Sequence, residues 1–383
     1  MPISRRTVLA AAAGLALPLP RVAGHTRPTV GFTLNAETLD GGEQVTSLTL
    51  HTRRLGPIDP ASFRVHAKAT SPIPIAAGDQ IFSEYDLDRT VTAARLDHRG
   101  NVVLELSYAE GQLGGGTLGY IASKGRNVRL DLVYTVTQTG SPVRFVQGRL
   151  VNPEVDAFSY HTSGSGMKYR LYSPPRSHRR PLVVWLHGGG EGASLPDNYY
   201  DNETTLRANR GALGFATREA QRIFGGAHVV APQSTSAWML DGPRFAPQIR
   251  EIVQDVARRH DVDRDRIYVA GCSNGGYMSM KMTTAYPGLF AASVPICGVV
   301  TGLISDAELA GIRTPSWLVA SRDDDTVDPV ANTVHAHDLI PRSRMTLYDD
   351  VTWNGYRFPG HWSWIYVARN DRNFWQWMAR QRR

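Results

Sequence analysis

Hydrophobic and polar residues alternate in short runs over the first part of the chain, then gather into longer apolar blocks. Between residues 28 and 150, Val128, Leu130, Leu132, Tyr134 and Val136 alternate with polar neighbours, the period of two expected of a half-buried strand. Residues 45–50 and 102–108 keep the same rhythm. Asp40-Gly41-Gly42, Arg99-Gly100-Asn101 and Gly114-Gly115-Gly116 punctuate the runs as turns, and no helical period intervenes. Such a string predicts an antiparallel β-sandwich.

Near residue 150 the pattern changes. Short apolar runs at 182–186, 229–231, 267–270, 291–296, 317–320 and 345–348 read as buried strands. Helical stretches at 245–259, 274–285 and 329–339 lie between them. Strands buried on both faces and separated by helices predict an α/β domain with a mostly parallel sheet flanked by helices. The boundary falls within 140–153, which gives a β-sandwich at 25–150 and an α/β domain at 151–383.

Residues 1–24 have a different character. Arg5-Arg6 precede an apolar stretch at 8–19 that is too short to span a membrane and is broken by Pro18 and Pro20. This is the pattern of a cleavable signal peptide, and the arginine pair resembles a twin-arginine export signal. A secreted protein is expected, with no stable membrane anchor later in the chain.

The bulk numbers fit that division. The 383 residues are 42% hydrophobic and 20% charged, ordinary for a soluble protein of about two domains. The net charge of +7 comes from scattered arginines. Without a basic stripe interleaved with aromatics, nucleic acid is not an expected partner. Two cysteines, Cys272 and Cys297, provide no disulfide framework and no metal-ligand spacing. They are either two buried thiols or a single bridge between neighbouring strand ends.

The chemistry concentrates at four places. Gly271-Cys272-Ser273-Asn274-Gly275-Gly276 follows the apolar run 267–270 and opens the helix 274–285. A serine held in a tight strand-to-helix turn needs small residues two places to either side. That turn lifts its hydroxyl clear of the sheet as a nucleophile. Upstream, His187-Gly188-Gly189-Gly190 follows the run 182–186. Its glycines free backbone amides to face a developing oxyanion. Gly189 is the expected donor with Gly188 its competitor, and the amide of Asn274 is the second donor. His187 precedes the serine and is expected to brace the loop.

In the order nucleophile, acid, histidine, only His335, His337 and His361 follow the serine. The first two fall inside the helix 329–339, which leaves His361 as general base. The acid belongs in the loop after 317–320, where Asp323, Asp324, Asp325 and Asp328 compete. Spacing to Val327 and Pro329 favours Asp324, with Asp323 the runner-up. Glu191, Gln233, Trp238 and Trp362 are candidates for the substrate pocket, although Trp238 reads equally well as core. Trp353, Trp364, Trp375 and Trp377 are expected to pack the last helix onto the sheet.

From about residue 169 onward the chain resembles the secreted serine esterases grouped with predicted peptidases and polyhydroxybutyrate-depolymerase-like hydrolases. The resemblance rests on Tyr169-Arg170-Leu171-Tyr172-Ser173-Pro174, Trp185-Leu186-His187-Gly188-Gly189-Gly190-Glu191-Gly192 and Ala231-Pro232-Gln233. It continues in Ser273-Asn274-Gly275-Gly276-Tyr277-Met278, Thr314-Pro315-Ser316-Trp317-Leu318-Val319 and Gly360-His361-Trp362-Ser363-Trp364. It implies an α/β-hydrolase fold and a triad of Ser273, Asp324 and His361, and some members carry an N-terminal immunoglobulin-like domain. Cys272 departs from the residue expected at the elbow. The expected activity is hydrolysis of a small-molecule or polymeric ester through an acyl-enzyme, with no cofactor required. Peptide cleavage by the same machinery and polymer binding by the sandwich are the alternatives.

Overall fold

The computed structural model describes residues 28–52, 55, 58–175, 178–193 and 200–383. The leader expected at 1–24 lies outside them. The first region is all-β, with β1 (Thr29–Leu39), β2 (Gly42–Leu50), β3 (Phe63–Thr70), β4 (Ile81–Phe82), β5 (Tyr85–Arg89) and β6 (Val91–Leu96). It continues with β7 (Val102–Leu106), β8 (Leu118–Ile121), β9 (Arg126–Arg129), β10 (Asp131–Gln138) and β11 (Arg144–Val151). They form a five-stranded sheet ordered β11-β1-β2-β7-β6 and two three-stranded sheets, β10-β3-β5 and β4-β8-β9. Phe32, Leu34, Leu48, Val65, Leu104 and Tyr134 fill the core between the five-stranded sheet and the sheet β10-β3-β5.

Three features depart from the simple antiparallel sandwich. β1 and β11 pair in parallel, because the chain leaves the domain toward the same end at which β1 turns into β2. The alternating run 128–136 is two strands rather than one. β9 ends at Arg129 and β10 begins at Asp131, so the chain changes sheets at the buried Leu130 without losing its period. β2 is buried on both faces, Glu43, Gln44, Thr46 and Ser47 included, because its second face meets the α/β domain.

That meeting is built from charge. Glu43 accepts hydrogen bonds from Asn152 Nδ2 at 2.7 Å and Thr117 Oγ1 at 2.6 Å, and pairs with Arg207. Arg207 also pairs with Glu203, which in turn pairs with Arg170 at 3.1 Å. Arg369 holds Asp40 at 2.9 Å, and Arg210 donates to the carbonyl of Thr38 at 2.6 Å. Burial alone would push the Arg207 guanidinium down, but Glu43 and Glu203 outweigh it and raise its pKa. Arg207→Met leaves a buried carboxylate without its cation, so unfolding free energy should fall by about 3–5 kcal/mol. Adding Glu43→Gln should restore part of that loss. Urea titration of the two variants checks both outcomes.

The second region carries an eight-stranded sheet ordered β12-β13-β15-β14-β16-β17-β18-β19. Its strands are β12 (Ser159–Thr162), β13 (Lys168–Tyr172), β14 (Arg180–Leu186), β15 (His228–Pro232), β16 (Val262–Cys272), β17 (Ala292–Ile296), β18 (Trp317–Ser321) and β19 (Arg344–Tyr348). β15, β14 and β16 to β19 run parallel, while β12 and β13 add an antiparallel edge. Val183 and Trp185 of β14 point into one hydrophobic layer, and Leu182, Val184 and Leu186 into the other. The helices Gly242–Arg259 and Asn274–Ala285 cover the second layer. The C-terminal helix Phe374–Arg380 covers the first, with Trp375 and Trp377 buried against the sheet. The helix expected at 329–339 begins as a π-turn over Val330–Val334 before His335–Leu339.

Candidate active site

β16 passes into the helix Asn274–Ala285 with only Ser273 between them, and Ser273 has φ 54°. This left-handed turn is held by close backbone contacts. A Cβ on Gly275 would lie 1.9 Å from the Leu186 carbonyl oxygen, and one on Gly271 would lie 2.5 Å from that of Gly275. Only glycine fits at either place, which explains the small residues flanking the serine. The Ser273 amide donates to the Ile296 carbonyl at 2.8 Å, tying the turn to β17.

His361 follows the strand pair Val351–Trp353 and Tyr356–Phe358 and sits in a short 3-10 turn, Gly360–Trp362. Its Nδ1 meets both oxygens of Asp324, at 2.8 and 3.0 Å. Asp324 follows β18, and its side chain is fully buried. Its Oδ1 also accepts from the amides of Thr326 at 3.0 Å and Val327 at 2.9 Å. Burial is the largest single effect on the His361 imidazole and pushes its pKa down. The Cys297 sulfur and the Asp324 carboxylate together outweigh burial and raise it above the ordinary 6.5. Asp323 is engaged elsewhere, with Ser321 and with Arg357 at 2.8 Å. His335 and His337 pair with Asp306 and Ser343.

Ser273 and His361 line one cavity of about 690 Å³ together with Gly188, Gly189, Glu191 and Trp362. His187 lies beneath the glycine loop. Its Nδ1 donates to the Gly188 carbonyl at 2.6 Å, and its Nε2 accepts from the Ser234 amide at 3.0 Å. Both bonds suit a neutral ring, and burial lowers its pKa to about 4. Burial likewise raises the Glu191 carboxyl to about 7. Cys272 and Cys297 are free, buried thiols.

Two pocket candidates are not at the pocket. Gln233 is fully buried; its Nε2 donates to the Glu191 carbonyl at 2.9 Å and its Oε1 accepts from Asn202 N at 2.7 Å. Trp238 is fully buried too, donating from Nε1 to the His187 carbonyl at 3.1 Å. Both support the loop from behind, since their polar ends satisfy its backbone rather than a ligand. Conversely, sequence reasoning missed the part of the cavity wall that comes from the β domain. Phe82, Glu110, Leu113, Tyr120 and Asn127 all line it, and no motif marks them.

The comparisons agree with this architecture. Residues 236–347 match the prolyl oligopeptidase family. An acetylxylan esterase from Coprinopsis cinerea is 26% identical over 38% of this chain and 39% of its own length. A poly(3-hydroxyalkanoate) depolymerase C from Paucimonas lemoignei is 38% identical over 31% of this chain and 28% of its own. A feruloyl esterase B from Neurospora crassa is 24% identical over 42% and 54%. The match thus spans between about a quarter and just over half of these relatives' length. The solved structure of a thermostable esterase superposes with a TM-score of 0.72 at 24% identity, covering 92% of this chain and 99% of that one. That likeness includes the β region as well as the sheet behind Ser273. The chain has the α/β-hydrolase fold, preceded by an all-β region.

Proposed function

We propose that the protein is a secreted carboxylesterase that works through an acyl-enzyme on Ser273. His361 takes the proton from the hydroxyl as it attacks the ester carbonyl. The amides of Asn274 and Gly189, or Gly188 in its place, hold the oxyanion. The alcohol leaves with the proton from His361, and water activated by the same ring releases the acid. Asp324 fixes the ring with its proton on Nδ1, so that Nε2 is free to accept. The observation that carries this reading is the paired contact of Asp324 with His361 Nδ1, in a cavity that also holds a serine on a left-handed strand-to-helix turn. Export rests on Arg5-Arg6 and the apolar stretch that follows them.

Peptide cleavage is the second reading, favoured by the prolyl oligopeptidase match. An alkyl fluorophosphonate should label the protein once, at the peptide containing Ser273. Turnover of a p-nitrophenyl ester should then exceed that of the anilide of the same acid by orders of magnitude. Labelling elsewhere would remove the serine mechanism; a faster anilide would make the protein a peptidase.

A further inference from the structure

The hydrolysis just described makes no use of the wall that the β domain contributes. β4 and β8 pair antiparallel with Phe82 opposite Tyr120, so the two side chains stand as neighbours on one face of the small sheet. Both line the cavity, although Phe82 is 51% and Tyr120 40% exposed. Single exposed apolar residues are ordinary. Here two aromatic rings and Leu113, 56% exposed, share the cavity that holds Ser273.

Their side of the cavity matters. The Tyr120 ring lies 3.7 Å from the place a Cβ on Gly190 would take, and Asn127 Nδ2 lies 2.8 Å from it. Tyr120 therefore abuts the oxyanion loop, and Phe82 stands beside it on the same face of the sheet. During acyl transfer the carbonyl oxygen sits at the oxyanion donors, and the leaving alcohol sits toward the histidine that protonates it. A wall against the oxyanion loop accordingly faces the acyl group.

We infer that Phe82 and Tyr120 form the acyl subsite, and that the acyl group it takes is an alkyl chain of several carbons or an aromatic ring rather than acetyl. The inference rests on the proposed role of Ser273. On that basis the β domain sets substrate preference. An extended apolar acyl group covers rings that otherwise face water, and removing one ring takes away the contact of one to two methylenes, about a tenfold effect on kcat/KM.

The test uses the full chain and p-nitrophenyl esters from acetate to octanoate, with benzoate added, so that the leaving group stays fixed. Wild type should show kcat/KM rising from acetate to hexanoate or longer. Phe82→Ala and Tyr120→Ala should each lower the hexanoate-to-acetate ratio about tenfold, and Tyr120→Phe, which keeps the ring, should retain it. In a second series of acetates with growing alcohols, the alanine variants should leave the ratio between long and short alcohols unmoved. An unchanged acyl ratio in both alanine variants overturns the subsite while leaving the esterase reading intact. A change that follows the alcohol instead overturns the assignment of this wall to the acyl side. If wild type hydrolyses none of these esters, the esterase reading falls and the subsite with it.

Discussion

Ser273→Ala should lower kcat for ester hydrolysis by on the order of 10⁵–10⁶, and adding His361→Ala should cost almost nothing more. In the proposed mechanism the two side chains act as one device. Without the hydroxyl there is no nucleophile for the imidazole to deprotonate. Without the imidazole the hydroxyl keeps its proton, so either loss alone removes the acyl-enzyme route. What survives is the contribution of oxyanion donors and binding, about 10³–10⁴ over water. Both belong to backbone and cavity wall that the substitutions leave in place. The turn itself should persist, because it is enforced by Gly271 and Gly275 against the Leu186 carbonyl and by the Ser273 amide on Ile296, not by the serine side chain. Activity should be compared after fluorophosphonate titration of residual wild-type sites. An alanine variant keeping a few per cent of wild-type kcat sinks the assignment, as does a double variant much slower than either single one.

How much of this could be read from the chain depends on the range of the forces involved. The strand-to-helix turn at Ser273 was legible because its cause is local: glycines two places to either side of the serine, directly after a short apolar run. The loop after β18 was legible as a cluster of carboxylates for the same reason. Its four aspartates differ only in where each carboxylate reaches. Asp324 folds back onto the amides of Thr326 and Val327 and still meets His361, while Asp323 turns out to Arg357. The parallel sheet was legible from its continuous apolar strands. β13 was not, because Arg170 interrupts the run, and its burial is tolerated only through Glu203 and several backbone carbonyls.

The illegible part is tertiary. Gln233 and Trp238 are the residue types that line pockets, but an amide and an indole N–H also satisfy buried carbonyls, and here they do so behind the loop. Nothing in the pattern of β2 separates a solvent face from a face that meets another domain, so Glu43 reads as exposed until Arg207 is placed beside it. Phe82 and Tyr120 look like ordinary strand positions. Their meaning comes only from the docking of one domain onto the loop of the other.

Asp324→Asn should lower kcat/KM by on the order of 10⁴ near neutral pH while leaving the fold intact. The local hydrogen bonds dictate this. Oδ1 of residue 324 accepts from two backbone amides, and an asparagine can accept there only through its carbonyl oxygen. The amide NH₂ is thereby fixed in the place of Oδ2, facing His361 Nδ1, where it donates instead of accepting. The ring must then carry its proton on Nε2, the nitrogen that has to receive the proton of Ser273. The variant should also change the pH profile in a defined direction. In the proposed mechanism neutral imidazole is the active form, so activity is lost as pH falls through the His361 pKa, and a raised pKa places that limb above 6.5 in the wild type. Losing the carboxylate removes a charge that holds the imidazolium, while burial continues to oppose it. The ascending limb of the residual activity should therefore move to lower pH. A kcat/KM profile from pH 5 to 10 for both proteins reads the two effects together. A limb that stays in place or shifts upward, or a loss of less than about tenfold, would show that Asp324 does not set the tautomer and charge of His361.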